Sequence, residues 1–271
     1  MVREEGKRVQ LPIYQSFAPC VLAVETEDTS GDVGIGTAFH VGDGVLLTAR
    51  HVVENRQVLS LIPHRFAEVS RESLRISYPE DDRIDLAVIE SDFSLERYMS
   101  EQFRIVVGDA DAIKFDHIRI GGHLDDWIDD SLVMMDVLLM GYPPIPTSPD
   151  PVLVAARGEV NAIIDPYIGS PHPLFVVSPI VRGGFSGGPV LTGGGWLLGI
   201  TTSSLVVDHA PAELGFGAAL TVEPILDLLS KKSLFPASNG ELMRELGYQP
   251  GGPPPFDPAE FQRLLDESEP F

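Results

Sequence analysis

From residue 17 to residue 226 the chain is a succession of short apolar runs, rich in Val, Ile, Leu, Phe and Thr and separated by Gly, Asp and Pro. Runs of this length, closed by turn residues at short intervals, are the mark of an all-β barrel or sandwich. The pattern predicts strands over 20–25, 34–41, 45–49, 57–63, 84–90, 103–107, 133–140, 152–164, 174–178, 189–191, 196–203 and 216–221. Helices are expected only late: 223–232 after a Thr221 cap, 241–246 ending at Gly247, and 258–267 with Asp257 as N-cap and Pro258 in the first turn. Between the last two, residues 250–255 read as a stiff proline-rich linker.

Charge then narrows the partners. The formal net charge is −21 over 271 residues, which repels phosphate backbones and anionic lipid surfaces and so argues against nucleic-acid or membrane binding. A basic or neutral partner fits better. The single cysteine, Cys20, cannot form an internal disulfide, and a reducing compartment suits such a chain. The N-terminus mixes charges with Pro12 and Pro19 and holds no apolar core of signal-peptide length. No run approaches the ~18 apolar residues of a membrane span. A soluble, cytoplasmic protein is expected. The stretch 109–131 stands apart: seven Asp residues beside Lys114, Arg119, His117 and His123 read as an acidic loop insertion between two halves.

Chemistry concentrates in three places. The first is Gly183-Gly184-Phe185-Ser186-Gly187-Gly188-Pro189. Glycine at this density marks backbone in conformations barred to other residues, or amides that something approaches closely. A nucleophilic serine needs both, because its hydroxyl must stand exposed and the amides of Gly184 and Ser186 can converge where an oxyanion would sit. A plain glycine-rich turn would read the same way. The second is Val45-Leu46-Leu47-Thr48-Ala49-Arg50-His51, an apolar strand that delivers an imidazole into a turn past two small residues. His51 is either the base that a serine hydroxyl requires or a surface histidine at a strand end. In the third, Arg83-Ile84-Asp85-Leu86-Ala87-Val88-Ile89, one carboxylate interrupts an apolar run. Asp85 must lie at a solvated edge or have a partner, and the ring N–H of His51 would be one.

Together these segments resemble the trypsin-like (chymotrypsin-fold) serine peptidases, above all the Deg/Htr branch, and the order His, Asp, Ser matches. The similarity extends to Leu138–Pro143, Arg157–Val160, Trp196–Thr201 and Phe216–Ala219, and covers residues 17–230. It implies two packed six-stranded antiparallel β-barrels, 12–131 and 132–232, followed by a proline-rich linker and helical tail over 233–271. His51 becomes general base, Asp85 its orienter and Ser186 the nucleophile, with the Gly184 and Ser186 amides as oxyanion hole. The resemblance also puts Ile180 at the floor of the specificity pocket and the segment Thr201 to Leu205, with Ala218, in its walls. No charge lines that pocket, so cleavage after a small or medium apolar residue is expected. Thr201, Thr202 and Ser203 would pair main chain to main chain with an extended peptide. No cofactor is implied.

Two departures bear on control. Phe185 occupies the place where digestive members of the family carry an aspartate that pairs with a newly cut N-terminus, so activation by that ion pair is unavailable. The residues given after the second barrel are expected to be too few for a peptide-binding domain of the Deg/Htr type. Control must come from the loops, the 109–131 insertion or the tail, which suggests an enzyme gated by, or directed at, one partner protein. Arg50 is also bulkier than the small residue expected before the histidine.

The rival readings are weaker. An α/β-hydrolase needs Ser, acid, then His, and after Ser186 the only histidine is His209, too close behind. His117 and His123 match none of the usual zinc spacings, so no metal site is read. A catalytically idle trypsin fold serving as a binding module or scaffold is the alternative from another class. It would need neither the three triad residues nor the glycine cradle.

Overall fold

The computed structural model describes residues 10–64, 68–69, 74–95, 117–121, 132–146, 148–164, 171–178, 183–202, 206–207, 210–211 and 216–239. The first half forms a six-stranded antiparallel sheet from β1 (Val21–Asp28), β2 (Val33–His40), β3 (Val45–Thr48), β4 (Arg56–Pro63), β5 (Arg75–Ser77) and β6 (Ala87–Glu90), in the order β4-β1-β2-β3-β6-β5. Its edge strands β4 and β5 have no pairing with each other among the described residues.

The second half is a closed barrel. Strands β8 (Asp136–Gly141), β9 (Val154–Ile164), β10 (Leu174–Val177), β11 (Pro189–Thr192), β12 (Trp196–Thr201) and β15 (Gly217–Thr221) run β11-β8-β9-β10-β15-β12, and β12 pairs back onto β11. Counted within its own half, each sheet therefore has the strand order 4-1-2-3-6-5. The halves repeat one topology with no repeat visible in their sequences. Closure removes the edges that would template aggregation. A short ribbon, β13 (Val206–Val207) with β14 (Ala210–Pro211), stands outside both sheets.

Alternating apolar positions fill both interiors: Leu22, Phe39, Leu46 and Ile89 are fully buried in the first half, Leu139, Phe175, Val190 and Ile200 in the second. This burial is the main source of stability.

Several expectations need correction. The described residues open with a helix, α1 (Gln10–Phe17), where the sequence suggests only a stretch broken by Pro12 and Pro19. Pro12 sits in its first turn, where a missing N–H costs nothing, and Phe17 is buried with its ring against Gly195, in the turn between β11 and β12. Strand β8 begins at Asp136 because Met134, at φ +72°, turns the chain just before it. Strand β6 begins at Ala87, because residues 81–86 form turns around Asp85. Helix α3 (Glu223–Lys231) forms, but Thr221 does not cap it: Val222 is the N-cap, no side chain donates or accepts there, and the Thr221 hydroxyl is buried without a hydrogen bond. Within the acidic stretch, residues 117–121 are no solvated loop. Ile118 and Ile120 are fully buried, and β7 (Arg119–Ile120) pairs in parallel with β12. The isoleucines alternate with polar neighbours, a strand signal masked by the surrounding acids.

The segment after α3 packs back onto the first sheet. Fully buried Asn239 donates through Nδ2 to the carbonyls of Val41 and Ile118 and accepts the Ile120 amide on Oδ1 at 3.0 Å. One side chain thereby joins the turn after β2, the β7 segment and the C-terminal end of the described fold. The rest of 109–131, the strand expected over 103–107, the linker over 250–255 and the helices expected over 241–246 and 258–267 lie outside the described residues. No helix among the described residues is long and apolar enough to cross a membrane.

Candidate active site

Strand β3 ends at Thr48, and a single helical turn, α2 (Arg50–Val53), starts at once. That turn lifts His51 out of the sheet and leaves its side chain 45% exposed. Val52 and Val53 are buried and anchor the turn. Gly36 lies so close beneath it that a Cβ there would come within 2.5 Å of Val52.

Asp85 reaches this turn from the loop before β6. Its Oδ1 accepts the His51 main-chain amide at 3.0 Å, and Nδ1 of the imidazole lies 2.9 Å from Oδ1 and 2.8 Å from Oδ2. The carboxylate thus holds the ring and the backbone carrying it. With Nδ1–H donated to Asp85, the other ring nitrogen, Nε2, is left as the proton acceptor.

Arg50 braces the same contact. Its guanidinium pairs with Glu54 at 2.8 Å, donates to the carbonyls of Pro79 and Asp81 at 3.4 and 3.3 Å, and stacks 5.1 Å above the Tyr78 ring. The bulk that looked misplaced before the histidine ties α2 to the loop that delivers Asp85. In that loop the Arg83 side chain, followed by its main-chain amide, holds the Asp81 carboxyl down to about 2. Burial, with Glu54 adding to it and Arg50 opposing it, pushes the Tyr78 phenol up.

The loop that carries Ser186 comes from the second barrel and docks on the first. Thr37 of β2 donates its amide to the Ser186 carbonyl at 2.9 Å and its hydroxyl to the Gly184 carbonyl at 2.6 Å, and that hydroxyl accepts the Tyr142 amide at 3.0 Å. Gly187, at φ +83°, fits against the Thr37 carbonyl, the Thr48 hydroxyl and the Ala49 amide, where a Cβ would stand at 2.2, 2.4 and 2.7 Å. Only glycine satisfies both that conformation and that clearance. The loop carrying Ser186 therefore abuts Ala49, two positions before His51 in the chain. Thr48, expected merely to leave room, is buried and donates to the Thr37 carbonyl at 2.7 Å.

The loop amides divide into two sets. Gly187 donates to the Thr201 carbonyl and Gly188 to the Phe185 carbonyl, both at 2.8 Å, whereas the Gly184 and Ser186 amides donate to no described residue. These are the two expected to face an oxyanion. Among the described residues no hydrogen bond joins Ser186 Oγ to His51. Phe185 is buried, its backbone and ring packed against Gly141.

The family model of the trypsin-like peptidase domain matches residues 36–200, the span that contains His51, Asp85 and Ser186. The chain belongs to that family. It is a hydrolase, a serine endopeptidase. Among solved structures this trypsin-like peptidase is similar to the Rv3671c protease of M. tuberculosis in its active form, at 19% identity over 82% of this chain and 85% of that one, with a TM-score of 0.57. It is likewise similar to the HtrA-type protease AlgW with tripeptide, at 18% identity over 88% of this chain and 72% of that one, with a TM-score of 0.56. At such identities the likeness is one of fold, the two-barrel trypsin-like fold. No curated protein matches the sequence.

The specificity side of this peptidase needs one correction. Thr201 was expected to pair with a peptide, but its amide already donates to the Gly188 carbonyl and its carbonyl accepts the Gly187 amide. The Thr202 amide donates to the Ala218 carbonyl at 3.1 Å, and Ala218 is buried in β15. Ile180 and Ser203 lie outside the described residues. Three contributors escaped the sequence reading: Thr37, Arg50 and the Thr201 hydroxyl. The two threonines had a signal, since each sets a hydroxyl in an apolar or glycine-rich strand where it must find a partner.

Proposed function

We propose that this peptidase works through His51, Asp85 and Ser186 by an acyl-enzyme. The observation that carries the proposal is the Asp85 carboxylate held against both the ring and the amide of His51. Ser186 Oγ attacks the scissile carbonyl carbon while its proton passes to His51 Nε2, and Asp85 stabilises the imidazolium. The carbonyl π electrons move onto oxygen, between the amides of Gly184 and Ser186. Collapse expels the amine, which takes the proton from Nε2 and leaves an ester on Ser186. Water, deprotonated by the same imidazole, then hydrolyses the ester and restores the hydroxyl.

The substrate is an extended or unfolded protein segment, cut after a small or medium apolar residue. The formal charge of −21 favours a neutral or basic partner, and the lone cysteine, Cys20, fits a cytoplasmic setting. There the enzyme has to be gated or directed at one partner protein. Residues 240–271 are the segment to remove in testing this, because Asn239 belongs to the folded body. Their deletion is expected to change peptidase activity or partner capture. If neither moves, the tail is no gate.

Intact-mass labelling with a fluorophosphonate tests the mechanism. Wild type is expected to gain one adduct, and Ser186→Ala and His51→Ala none. Labelling that survives Ser186→Ala would assign the reactive nucleophile elsewhere, and no labelling in any form, with and without cell extract to release a gate, would favour the idle binding module.

A further inference from the structure

A trans peptide points its C=O and N–H in opposite directions. The direction of the Ser186 amide is therefore set by whatever holds the Phe185 carbonyl. Two donors hold it: the Thr201 hydroxyl and the Gly188 amide, the latter at 2.8 Å. The Gly188 amide is shared, because it also donates to Thr201 Oγ1 at 3.0 Å. The hydroxyl proton is thus the undivided donor. Phe185 is apolar and can add no ion pair to fix the loop.

Thr201 is itself immobilised. It is fully buried in β12, and both its main-chain groups are bound to the nucleophile loop, amide to Gly188 and carbonyl to Gly187, each at 2.8 Å. Its Oγ1 also lies 3.1 Å from the Gly188 carbonyl, but a hydroxyl has one proton, and the shorter approach is to Phe185. On the far edge of the Phe185–Ser186 peptide the Ser186 amide donates to no described residue.

We propose that Thr201 is a positioning residue: its buried hydroxyl draws the Phe185 carbonyl inward and so aims the Ser186 amide at the site where the oxyanion forms. The proposal rests on Ser186 being the nucleophile. It makes oxyanion-hole assembly a property of the folded barrel, independent of any cut elsewhere in the chain.

The test compares Thr201→Val, which keeps the shape and loses the hydroxyl, with Thr201→Ser, which keeps the hydroxyl. Fluorophosphonate labelling of the valine variant is expected to slow by roughly 100-fold, the loss typical of one missing oxyanion donor. The serine variant should stay within about threefold of wild type. In peptide hydrolysis kcat should fall with KM unchanged, and the pH profile should keep its midpoint because His51 and Asp85 are untouched. Valine labelling as fast as wild type overturns the proposal, as does a folded serine variant that is as slow as valine. Should the valine protein not fold, the serine variant decides. Crystal structures of wild type and variant read the peptide directly: the Phe185 carbonyl is expected to turn outward in the valine variant, and an unturned carbonyl refutes the role. That readout holds even if wild type fails to label, and wild type that stays unlabelled with cell extract present sinks the nucleophile reading instead.

Discussion

The carboxylate of Asp85 is bound twice by one residue: it accepts the main-chain amide of His51 at 3.0 Å and lies 2.8 Å from the Nδ1 of the same imidazole. The amide fixes the carboxylate relative to the backbone, and the carboxylate fixes the ring. Both contacts cross 34 residues of sequence, so neither element could orient the base alone.

Asp85→Asn should keep the fold and lose the chemistry. The amide oxygen can still accept the His51 main-chain N–H, which turns the NH₂ group toward the ring and makes Nδ1 an acceptor. The proton then sits on Nε2, the nitrogen that must receive one from Ser186. A fall in kcat of about 10⁴ is expected, as for the corresponding change in a serine-protease triad, with an unchanged thermal midpoint as the control.

Arg50→Ala should loosen the loop that carries Asp85. The variant loses the Glu54 pair, two carbonyl contacts and the Tyr78 stack. A destabilisation of about 1–2 kcal/mol in urea unfolding is expected, with kcat reduced more than KM is raised. Arg50→Lys should recover little, because a single ammonium cannot span the same fork of acceptors.

Gly187→Ala should be among the most damaging single substitutions. A Cβ there meets the Thr37 carbonyl at 2.2 Å and the Ala49 amide at 2.7 Å, at a φ of +83°. Backbone must move on both sides of the junction between the halves. A loss on the order of 3 kcal/mol or more is expected, measured by chemical denaturation.

Asn239→Ala strips one acceptor from the Ile120 amide and the side-chain donor from the Val41 and Ile118 carbonyls. Buried groups left unpaired cost about 1–3 kcal/mol each, so a loss of several kcal/mol in unfolding free energy is expected, measured by urea denaturation.

Asp81 supplies a pH test. Its folded-state pKa is lowered from 3.8 to about 2, chiefly by the Arg83 side chain. A depressed acid contributes stability that is present above its unfolded pKa and lost as pH falls through the folded one. The stability difference between wild type and Asp81→Asn should therefore be constant near pH 6 and shrink between about pH 4 and 2. Asp81 is about a third exposed, so the effect is small, and NMR titration of the carboxyl reads it more directly.

Much was legible without coordinates because it depends on local pattern. Alternating apolar runs gave strands close to β1 through β4 and β9 through β12, and the glycine density around Ser186 marked a loop in which the Gly184 and Ser186 amides donate to no described residue. What failed was local pattern overruled at a distance. Asp85 sits in turns just before β6 because its carboxylate is taken by His51. Ile118 and Ile120 are buried because β7 completes an edge of β12, and Pro12 lies inside a helix because it falls in the first turn.

Which chemical groups the chain carries is legible from the residues alone: an imidazole just past an apolar strand, a carboxylate interrupting an apolar run, and a serine among glycines. The sequence also determined the β architecture, since alternation and turn residues act over a few positions. Tertiary structure alone decided that the two halves share one strand order, that the second closes into a barrel, and that Thr37, Arg50 and Thr201 hold the site. A hydrogen bond across 147 residues, such as Thr37 to Gly184, leaves no periodicity in the chain. It exists because folding brings both groups out of water into one place, where neither can remain unpaired.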